Sequence, residues 1–379
     1  MDGNMSNDDI FAKSFGFEAE NTELLEELTV VDAEVHTNET MDDIAQHIAD
    51  EAIKNEDLNG YVTETSRNGA LGGIPYNFYN PKCGGEKGGH PFLKKPLKTV
   101  EDIREQQGDI IADKVFINTI HSLRLGKIPV TRKKEPYLRA MNLFIIENLA
   151  TDGENYYTGI AVNPDLPEES AEEIEKYADH DAIKYVFAPA THEKPLGNRR
   201  YEPILEAAEK HDLPYLMHGT ATTDRNNYLD YDKYFEQRAM GQVLPHLRNV
   251  VSLIGEEIPE RFDTDFMFME HGFGWASFMM GRLNREMKIR GFEVPGLDLK
   301  PSEYMQDFYY GTQPMIQPAN PEYIGQMIGM NGLEDQVVYM SDYPHPDADH
   351  PGTIADHEGL TREQKIKILQ DNAHRLFDI

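Results

Sequence analysis

The stretch Val30–Thr40, VVDAEVHTNET, decides the fold. It begins with two valines, as a buried strand does, and then alternates acidic or imidazole side chains with apolar ones. Side chains two residues apart in a strand share a face, so Asp32, Glu34 and His36 are predicted to point the same way. Two acids and a histidine on one face of a buried strand predict a functional site at its end.

Seven more strand-like segments follow, and helical patterns separate most of them. The eight segments are Val30–His36, Lys114–Asn118, Tyr157–Asn163, Ile183–Ala188, Pro214–His218, Phe266–His271, Phe308–Thr312 and Val337–Asp342. The last helical pattern begins after Thr361, which is predicted to be its N-cap. Strands that alternate with helices indicate parallel βαβ units, and eight such units predict an α/β fold of the (β/α)8 TIM barrel type.

Three parts of the chain do not fit a minimal barrel. Residues 1–29 are predicted to be an acidic N-terminal extension that precedes a barrel domain over residues 30–379. Residues 60–113 form an insertion after the first strand, and residues 280–307 form a shorter one after the sixth. The first insertion contains the glycine- and aromatic-rich stretch GALGGIPYNFYNPKCGGEKGGHPF, and we predict that it forms a lid over the active-site mouth.

The composition is strongly acidic, with 67 Asp and Glu against 36 Lys and Arg and a formal net charge of −31. This charge repels nucleic acid and anionic membrane surfaces, so neither is an expected partner. It suits a folded protein with a solvated acidic surface in a high-salt cytoplasm. The single cysteine, Cys83, fits a reducing compartment. Without a secretory signal pattern or a long apolar run, the expected location is the cytoplasm.

Polar side chains stand at the carboxyl ends of four predicted strands. Glu34 and His36 end the first strand, His218 the fifth, His271 the sixth and Asp342 the eighth. In a parallel barrel these ends meet at one rim, which carries the active site. Charges buried there need compensation, and carboxylate oxygen and imidazole nitrogen are normal ligands of divalent metals. The sequence therefore predicts a metal site at the mouth.

These residues carry a resemblance to a known family. The motifs are DAEVH, LPYLMHG, MEHGFGW, SDYPHPD and LQDNAHRLF. Together they resemble the amidohydrolase-related family of metal-dependent barrels, in its decarboxylase-like branch, which includes aminocarboxymuconate semialdehyde decarboxylase and γ-resorcylate decarboxylase. The resemblance runs from about Val30 to the last residue. It implies a homo-oligomer and a metal-dependent enzyme.

The resemblance also implies roles for individual residues. The implied metal ligands are Glu34, His36, His218 and Asp342. Asp342 and His271 are implied as the catalytic residues that handle protons, and Asp32 as a structural residue behind the ligands. The fourth strand ends in YVFAPA and has its lysine, Lys184, at its start, whereas binuclear relatives carry a carbamylated lysine at that strand's end. One divalent metal is therefore expected, zinc in the first place and manganese as the alternative.

Substrate recognition rests on weaker signals. The candidate substrate-binding residues are Trp275, Tyr343, His345 and Arg199, the last with its neighbour Arg200. Each lies just after a strand, and each is equally consistent with a role in loop packing or a solvated loop. Four other histidines are expected to be ordinary core or loop residues: His121, His192, His246 and His350.

Three functions remain open at this point. The Glu-x-His motif of the first strand resembles non-hydrolytic relatives, which favours non-oxidative decarboxylation of a small carboxylic acid. Hydrolysis of a cyclic amide or lactone by a metal-activated water is the alternative. A catalytically silent barrel with a binding role is the third. A related metal-dependent nuclease is disfavoured by the net charge, because it would need a basic groove.

Overall fold

The computed structural model describes residues 22–54, 96–106, 112–128, 131–219, 234–241, 243–315, 317–345 and 348–379. Eight strands lie in these ranges. They are β1 (Val31–His36), β2 (Lys114–Asn118), β3 (Tyr156–Ala161), β4 (Ile183–Pro189), β5 (Tyr215–His218), β6 (Phe266–Met269), β7 (Tyr309–Gly311) and β8 (Val337–Val338). All eight predicted strands are therefore present, with bounds that differ by a few residues.

Helices connect the strands. The α-helices are α1 (Thr22–Glu27), α2 (Met41–Ala45), α3 (Glu51–Lys54), α4 (Val100–Glu105), α5 (Thr131–Asn148), α6 (Pro167–Tyr177), α7 (Glu202–Lys210), α8 (Tyr234–Gly241), α9 (Val243–Gly255), α10 (Ile258–Arg261), α11 (Gly274–Arg290), α12 (Pro301–Met305), α13 (Ile324–Asn331), α14 (Gly352–Ala355), α15 (Arg362–Ile366) and α16 (Asn372–Phe377). The 3-10 helices are Ser122–Lys127, Arg199–Tyr201, Gly291–Glu293 and Pro321–Tyr323, and a short π-helix, Lys367–Asp371, joins α15 to α16. Thr361 caps α15 as predicted, since its side chain accepts the backbone N–H of Gln364.

The strands form one parallel sheet in the order β1 to β8. The sheet closes through backbone hydrogen bonds between β1 and residues 339–343. Ala33 N–H donates to Tyr339 O at 3.1 Å, and Asp342 N–H donates to Glu34 O at 3.0 Å. The predicted (β/α)8 TIM barrel is confirmed. Among the helices within the described ranges, none combines the length and the apolarity needed to cross a bilayer.

A β-bulge interrupts β1 in its second half. Asp32 pairs with Val115 of β2, but Val35, three residues later, pairs with Ile117, only two residues further on. One extra residue is therefore accommodated in β1, and the alternation of side chains is broken at that point.

The bulge changes which side chains of β1 share a face. Ala33 packs in the cluster that fills the barrel interior, whereas Val35 packs in the cluster between the strands and the helices. In an unbroken strand these two side chains would lie on one face. The alternation is regular again from Glu34 to His36, both of which face the interior, whereas Asp32, before the bulge, faces outward. The predicted common face thus holds for Glu34 and His36 but not for Asp32.

Aromatic side chains fill the interior below the mouth. Tyr185 of β4 and Phe116 of β2 lie there, and both rings contact Phe377 of α16, at centroid distances of 5.9 and 4.0 Å. The last helix therefore closes the floor of the barrel. The interior at that end is a packed core, and only the opposite end is open to chemistry.

Of the two predicted insertions, the structure describes all of residues 280–307 but only part of residues 60–113. Most of residues 60–113, and so the proposed lid, lies outside the described residues. Residues 280–307 contain the second half of α11, a 3-10 helix and α12. Gly296 N–H donates to Glu257 at 2.8 Å, and Glu257 precedes β6 in the chain. This stretch therefore lies at the end of the barrel away from the mouth. Of residues 1–29, only α1 and the residues after it are described.

Candidate metal centre

Four side chains converge at the mouth from three strands. Glu34 and His36 lie at the end of β1, His218 is the last residue of β5, and Asp342 follows β8. One ligand atom from each lies within 4.8 Å of the others, and all four side chains are buried. This is the convergence that the strand ends predict.

The individual distances are short. His218 Nε2 lies 2.8 Å from Glu34 Oε1 and 3.2 Å from His36 Nε2. His36 Nε2 lies 3.1 Å from Asp342 Oδ1. Two imidazole nitrogens and two carboxylates therefore face one point, which is the donor set of a first-row divalent cation.

The charges of these groups are coupled. Burial opposes ionisation of Glu34, but His218 and His36 outweigh it, and the pKa of Glu34 is lowered. Burial likewise opposes the charged form of His36, but hydrogen bonds with Asp342 and Glu34 raise the pKa of His36 well above its usual value. Burial also opposes ionisation of Asp342, yet His345 and His36 hold the pKa of Asp342 well below its usual range. The carboxylates thus stay anionic and draw positive charge to this point.

The residues present fit a bound metal. Glu34 Oε2 and Asp342 Oδ2 are buried and have no hydrogen-bond partner within the described part of the chain. His218 Nδ1 contacts the carbonyl of Gly219, which can only accept, so Nδ1 carries the proton and Nε2 presents a lone pair to the cluster. A cation would satisfy these lone pairs, which are otherwise costly to bury.

Two residues in the turn after β6 lie beside His218. Glu270 Oε2 is 3.6 Å from His218 Nδ1. His271 lies so close to Gly219 that a Cβ built there would be 1.8 Å from His271 Nε2. Glu270 has a φ of 53°, a left-handed conformation that is uncommon outside glycine, and Asp342 has a φ of 59°. The turn at Glu270 directly follows Met269 and ends β6 two residues earlier than the sequence predicted, and the turn at Asp342 lies four residues beyond the end of β8.

His246 supports this turn from behind. It lies in α9, is fully buried, and donates from Nε2 to Met269 O at 2.8 Å. Its ring lies 4.7 Å from that of His271. Burial lowers the pKa of His246 to about 3, so the ring is neutral. Nothing in the sequence distinguishes His246 from the other ordinary histidines, because it lies in the helix before β6 and not at a strand end.

Asp32 acts as an internal brace, as expected for a structural residue. Its Oδ1 accepts the backbone N–H of Ser341 at 2.9 Å and that of Glu34 at 3.1 Å. It thereby links the two chain segments that carry Glu34 and Asp342. Burial raises the pKa of Asp32 to about 7.

The four predicted substrate-binding residues are placed differently. His345 Nδ1 hydrogen-bonds Asp342 Oδ1 at 2.6 Å, and its side chain is 30% exposed, so it joins the centre to solvent. Trp275 stacks on His246 and contacts Phe268 and Tyr310, behind the turn. These positions bring His345 to the candidate ligand Asp342 and set Trp275 on the helix side of β6.

Tyr343 and Arg199 lie further from the cluster. Tyr343 is buried in the core between strands and helices, where its hydroxyl lies 3.5 Å from Gln106 Oε1. Arg199 is exposed, and its neighbour Arg200 pairs with Glu193 at 2.7 Å. Lys184 Nζ lies 3.5 Å from the carbonyl of Asp378, at the floor end of the barrel. Substrate binding by Tyr343 and Arg199 stays a prediction.

Comparison with known proteins places this chain in a family. The family model described as Amidohydrolase matches residues 137–379, more than half of the chain. The chain therefore belongs to the amidohydrolase family. A search of curated proteins found no match.

Several solved structures share the fold. A 5-carboxyvanillate decarboxylase from Sphingomonas paucimobilis is 16% identical, with a TM-score of 0.67 over 93% of this chain and 99% of that one. A 2,6-dihydroxybenzoate decarboxylase from Rhizobium is 14% identical, with a TM-score of 0.61 over 83% and 95%. A dihydroxybenzoic acid decarboxylase from Polaromonas sp. JS666, with bound manganese and the inhibitor 2-nitroresorcinol, is 14% identical, with a TM-score of 0.62 over 93% and 97%. At such identities the likeness establishes the fold alone.

Proposed function

We propose that this protein is a non-oxidative decarboxylase of a small hydroxyaryl carboxylic acid that uses one divalent metal. The observation that carries the proposal is the buried convergence of Glu34, His36, His218 and Asp342, with His271 beside His218. The decarboxylases that share the fold act on aromatic acids of this kind, which supports the substrate class.

Glu34, His36, His218 and Asp342 would hold the metal, manganese or zinc. When bound, a divalent cation supplies Lewis-acid polarisation of substrate oxygens. The remaining chemistry belongs to the side chains. The bond between the ring and the carboxylate breaks, CO2 leaves, and the ring carbon takes up a proton.

Two side chains can hold that proton. His271 lies against Gly219, next to the ligand His218. Asp342 is hydrogen-bonded to His345, which is partly exposed and can renew a proton from solvent. Because its pKa is held low, Asp342 is ionised at rest, and we assign delivery of the proton to His271, with Asp342 and His345 as the route of exchange with solvent.

The test combines elemental analysis with a substrate panel of hydroxybenzoates, lactones and amides. The expected result is about one metal ion per chain and release of CO2 from a hydroxyaryl carboxylate. His271→Asn should abolish turnover and leave metal content unchanged, whereas Asp342→Asn should reduce both. A protein without metal and without turnover is the silent barrel, and the proposal fails.

Hydrolysis of an amide or lactone is the second candidate. The buried Asp342 Oδ2, which has no hydrogen-bond partner in the described ranges, favours it, because an ionised carboxylate there could accept a proton from water. Turnover of a lactone or amide with no CO2 release from any acid of the panel would select this function over decarboxylation.

A further inference from the structure

A second polar cluster, formed by Thr37, Glu39 and His121, lies at the same mouth. His36 and Asn118 are partners in the register of β1 and β2, and Thr37 N–H donates to Asn118 O at 3.1 Å. Glu39 follows His36 by three residues, and His121 follows Asn118 by three. The cluster therefore begins directly beyond the metal ligands of β1 and is separate from them.

The segment that carries His121 folds inward across the barrel. Leu123, two residues later, packs in the interior cluster with Tyr185 and Phe187. Ser122 Oγ donates to Thr119 O at 2.7 Å and fixes the turn that leaves β2. His121 is therefore held above the interior, where a substrate bound at the metal centre would extend, and its side chain is 8% exposed.

Glu39 fixes the orientation of the His121 ring. Glu39 Oε1 accepts the backbone N–H of His121 at 2.8 Å and lies 3.3 Å from Nδ1, while Oε2 accepts the hydroxyl of Thr37. Burial opposes ionisation of Glu39, but these donors lower its pKa, so the carboxylate is anionic. Nδ1 therefore carries its proton toward Glu39, and the lone pair of a neutral ring lies on Nε2.

Two buried polar atoms are left over at this end of β2. His121 Nε2 has no hydrogen-bond partner among the described residues, and neither has Asn118 Nδ2. The other atom of that amide, Oδ1, accepts the hydroxyl of Tyr185 at 2.7 Å, which fixes Nδ2 as the remaining donor. In the described part of the chain, one acceptor (Nε2 of a neutral His121 ring) and one donor are therefore buried without partners at the strand end that pairs with His36, where a ligand or water could meet them.

We propose that His121 and Asn118 form a subsite for a hydroxyl group of the substrate, separate from the group that faces the metal ligands. A hydroxyl donates one hydrogen bond and accepts another, which matches one bare imidazole nitrogen and one amide N–H. The subsite rests on the proposed function for its substrate class, an aromatic acid with an additional hydroxyl. Glu39 is a positioning residue that acts through His121.

The test is calorimetric binding of two unreactive ligands to the manganese-loaded protein. 2-Nitroresorcinol carries two hydroxyl groups and 2-nitrophenol carries one. Wild-type protein should prefer 2-nitroresorcinol by about tenfold, the effect of one well-satisfied polar group. His121→Leu should reduce the preference to less than about twofold and leave the affinity for 2-nitrophenol unchanged, and Glu39→Gln should reduce it in part.

A matched control is available at the other end of the barrel. His211 Nε2 lies 3.0 Å from Glu175 Oε2, at the end of α7 and away from the mouth, so His211→Asn should leave the preference intact. If His121→Leu does not fold, His121→Phe replaces it in the test, because phenylalanine has an aromatic ring but no ring nitrogen. Equal binding of both ligands by wild type, or a preference that survives removal of His121, overturns the subsite.

The result is independent of turnover. A preference that depends on His121, in a protein that decarboxylates nothing, would support the subsite and refute the proposed reaction. Decarboxylation by a protein that binds 2-nitroresorcinol and 2-nitrophenol equally would support the proposed reaction and refute the subsite.

Discussion

Replacing Gly219 with alanine tests whether His271 is placed for catalysis. A Cβ at residue 219 would lie 1.8 Å from Nε2, 2.5 Å from Cε1 and 2.9 Å from Cδ2 of His271, whereas ordinary contacts begin at 3.4 Å. The φ of Gly219 is not positive, so alanine can adopt the backbone conformation, and steric overlap alone decides the outcome.

The size of the effect follows from these distances. The ring of His271 must retreat by about 1.6 Å to restore contact, and the ring of His246 limits the room for retreat. A misplacement of about 1 Å in a reacting group can reduce turnover about 100-fold. We therefore expect kcat to fall by about that factor, with a loss of about 1 to 3 kcal/mol in the free energy of unfolding from overpacking.

Metal content separates this effect from general damage. The three nearest atoms to the new methyl group all belong to His271 and none to a candidate metal ligand. Elemental analysis should therefore find the same metal per chain in Gly219→Ala as in wild type. Gly281→Ala is the matched control, because a Cβ there meets nothing within 4 Å and the site lies in α11. It should leave kcat unchanged and stabilise the helix by up to about 1 kcal/mol.

A Gly219→Ala variant with kcat within about twofold of wild type would show that the position of His271 does not control turnover. Loss of metal in parallel with loss of activity would also count against control by His271, since the substitution would then act on His218 and not on His271.

Three further predictions concern the metal, pH and salt. Metal at about 1,000 times its Kd should raise the free energy of unfolding of wild type by about 4 kcal/mol, and Glu34→Gln should abolish most of this gain. If thermal melts show the same gain in wild type and Glu34→Gln, Glu34 is not a ligand. Glu39 has a lowered folded pKa, so its ionisation stabilises the fold above its usual value of 4.5, and this contribution is lost as pH falls through the lower folded value. The difference in unfolding free energy between wild type and Glu39→Gln, measured by urea titration, should therefore shrink between about pH 6 and pH 3, and a constant difference would contradict the assignment. The net charge of −31 destabilises the fold by self-repulsion, so Tm should rise as salt increases from about 0.1 to 1 M and the Debye length falls from about 10 to 3 Å. A Tm that does not change with salt would contradict this effect of self-repulsion.

The sequence predicted the barrel and the convergence of the four candidate metal ligands for one physical reason. Parallel strands bring their carboxyl ends to one rim, so residues as distant as Glu34, His218 and Asp342 can be assigned to one place from their position after apolar runs. Glu34 and His36 still share a face because the alternation of side chains is regular from Glu34 to His36. The same logic failed for Asp32, because alternation cannot reveal a bulge that depends on pairing with β2.

Residues whose roles depend on tertiary contacts could not be predicted from the sequence. His246 reaches the turn after β6 from a helix, and its role depends on a single contact with Met269 O. Gly219 matters because it has no side chain, which leaves the space that the ring of His271 occupies. The ring of His121 is oriented by Glu39, which is 82 residues away in the chain. Such contacts follow from the crossing of particular loops, which periodicity and spacing do not record.

The closure of the sheet has a consequence for how the protein opens. The hydrogen bonds that join β1 to residues 339–343 lie between the two segments that carry Glu34 and Asp342. Local unfolding along that seam would separate these two carboxylates as well as break the barrel, so release of a cation held by them and fraying of the first strand would be a single thermodynamic event. Amide hydrogen exchange at Ala33, His36 and Asp342 should therefore slow when metal is added, by a factor set by the metal concentration relative to its Kd.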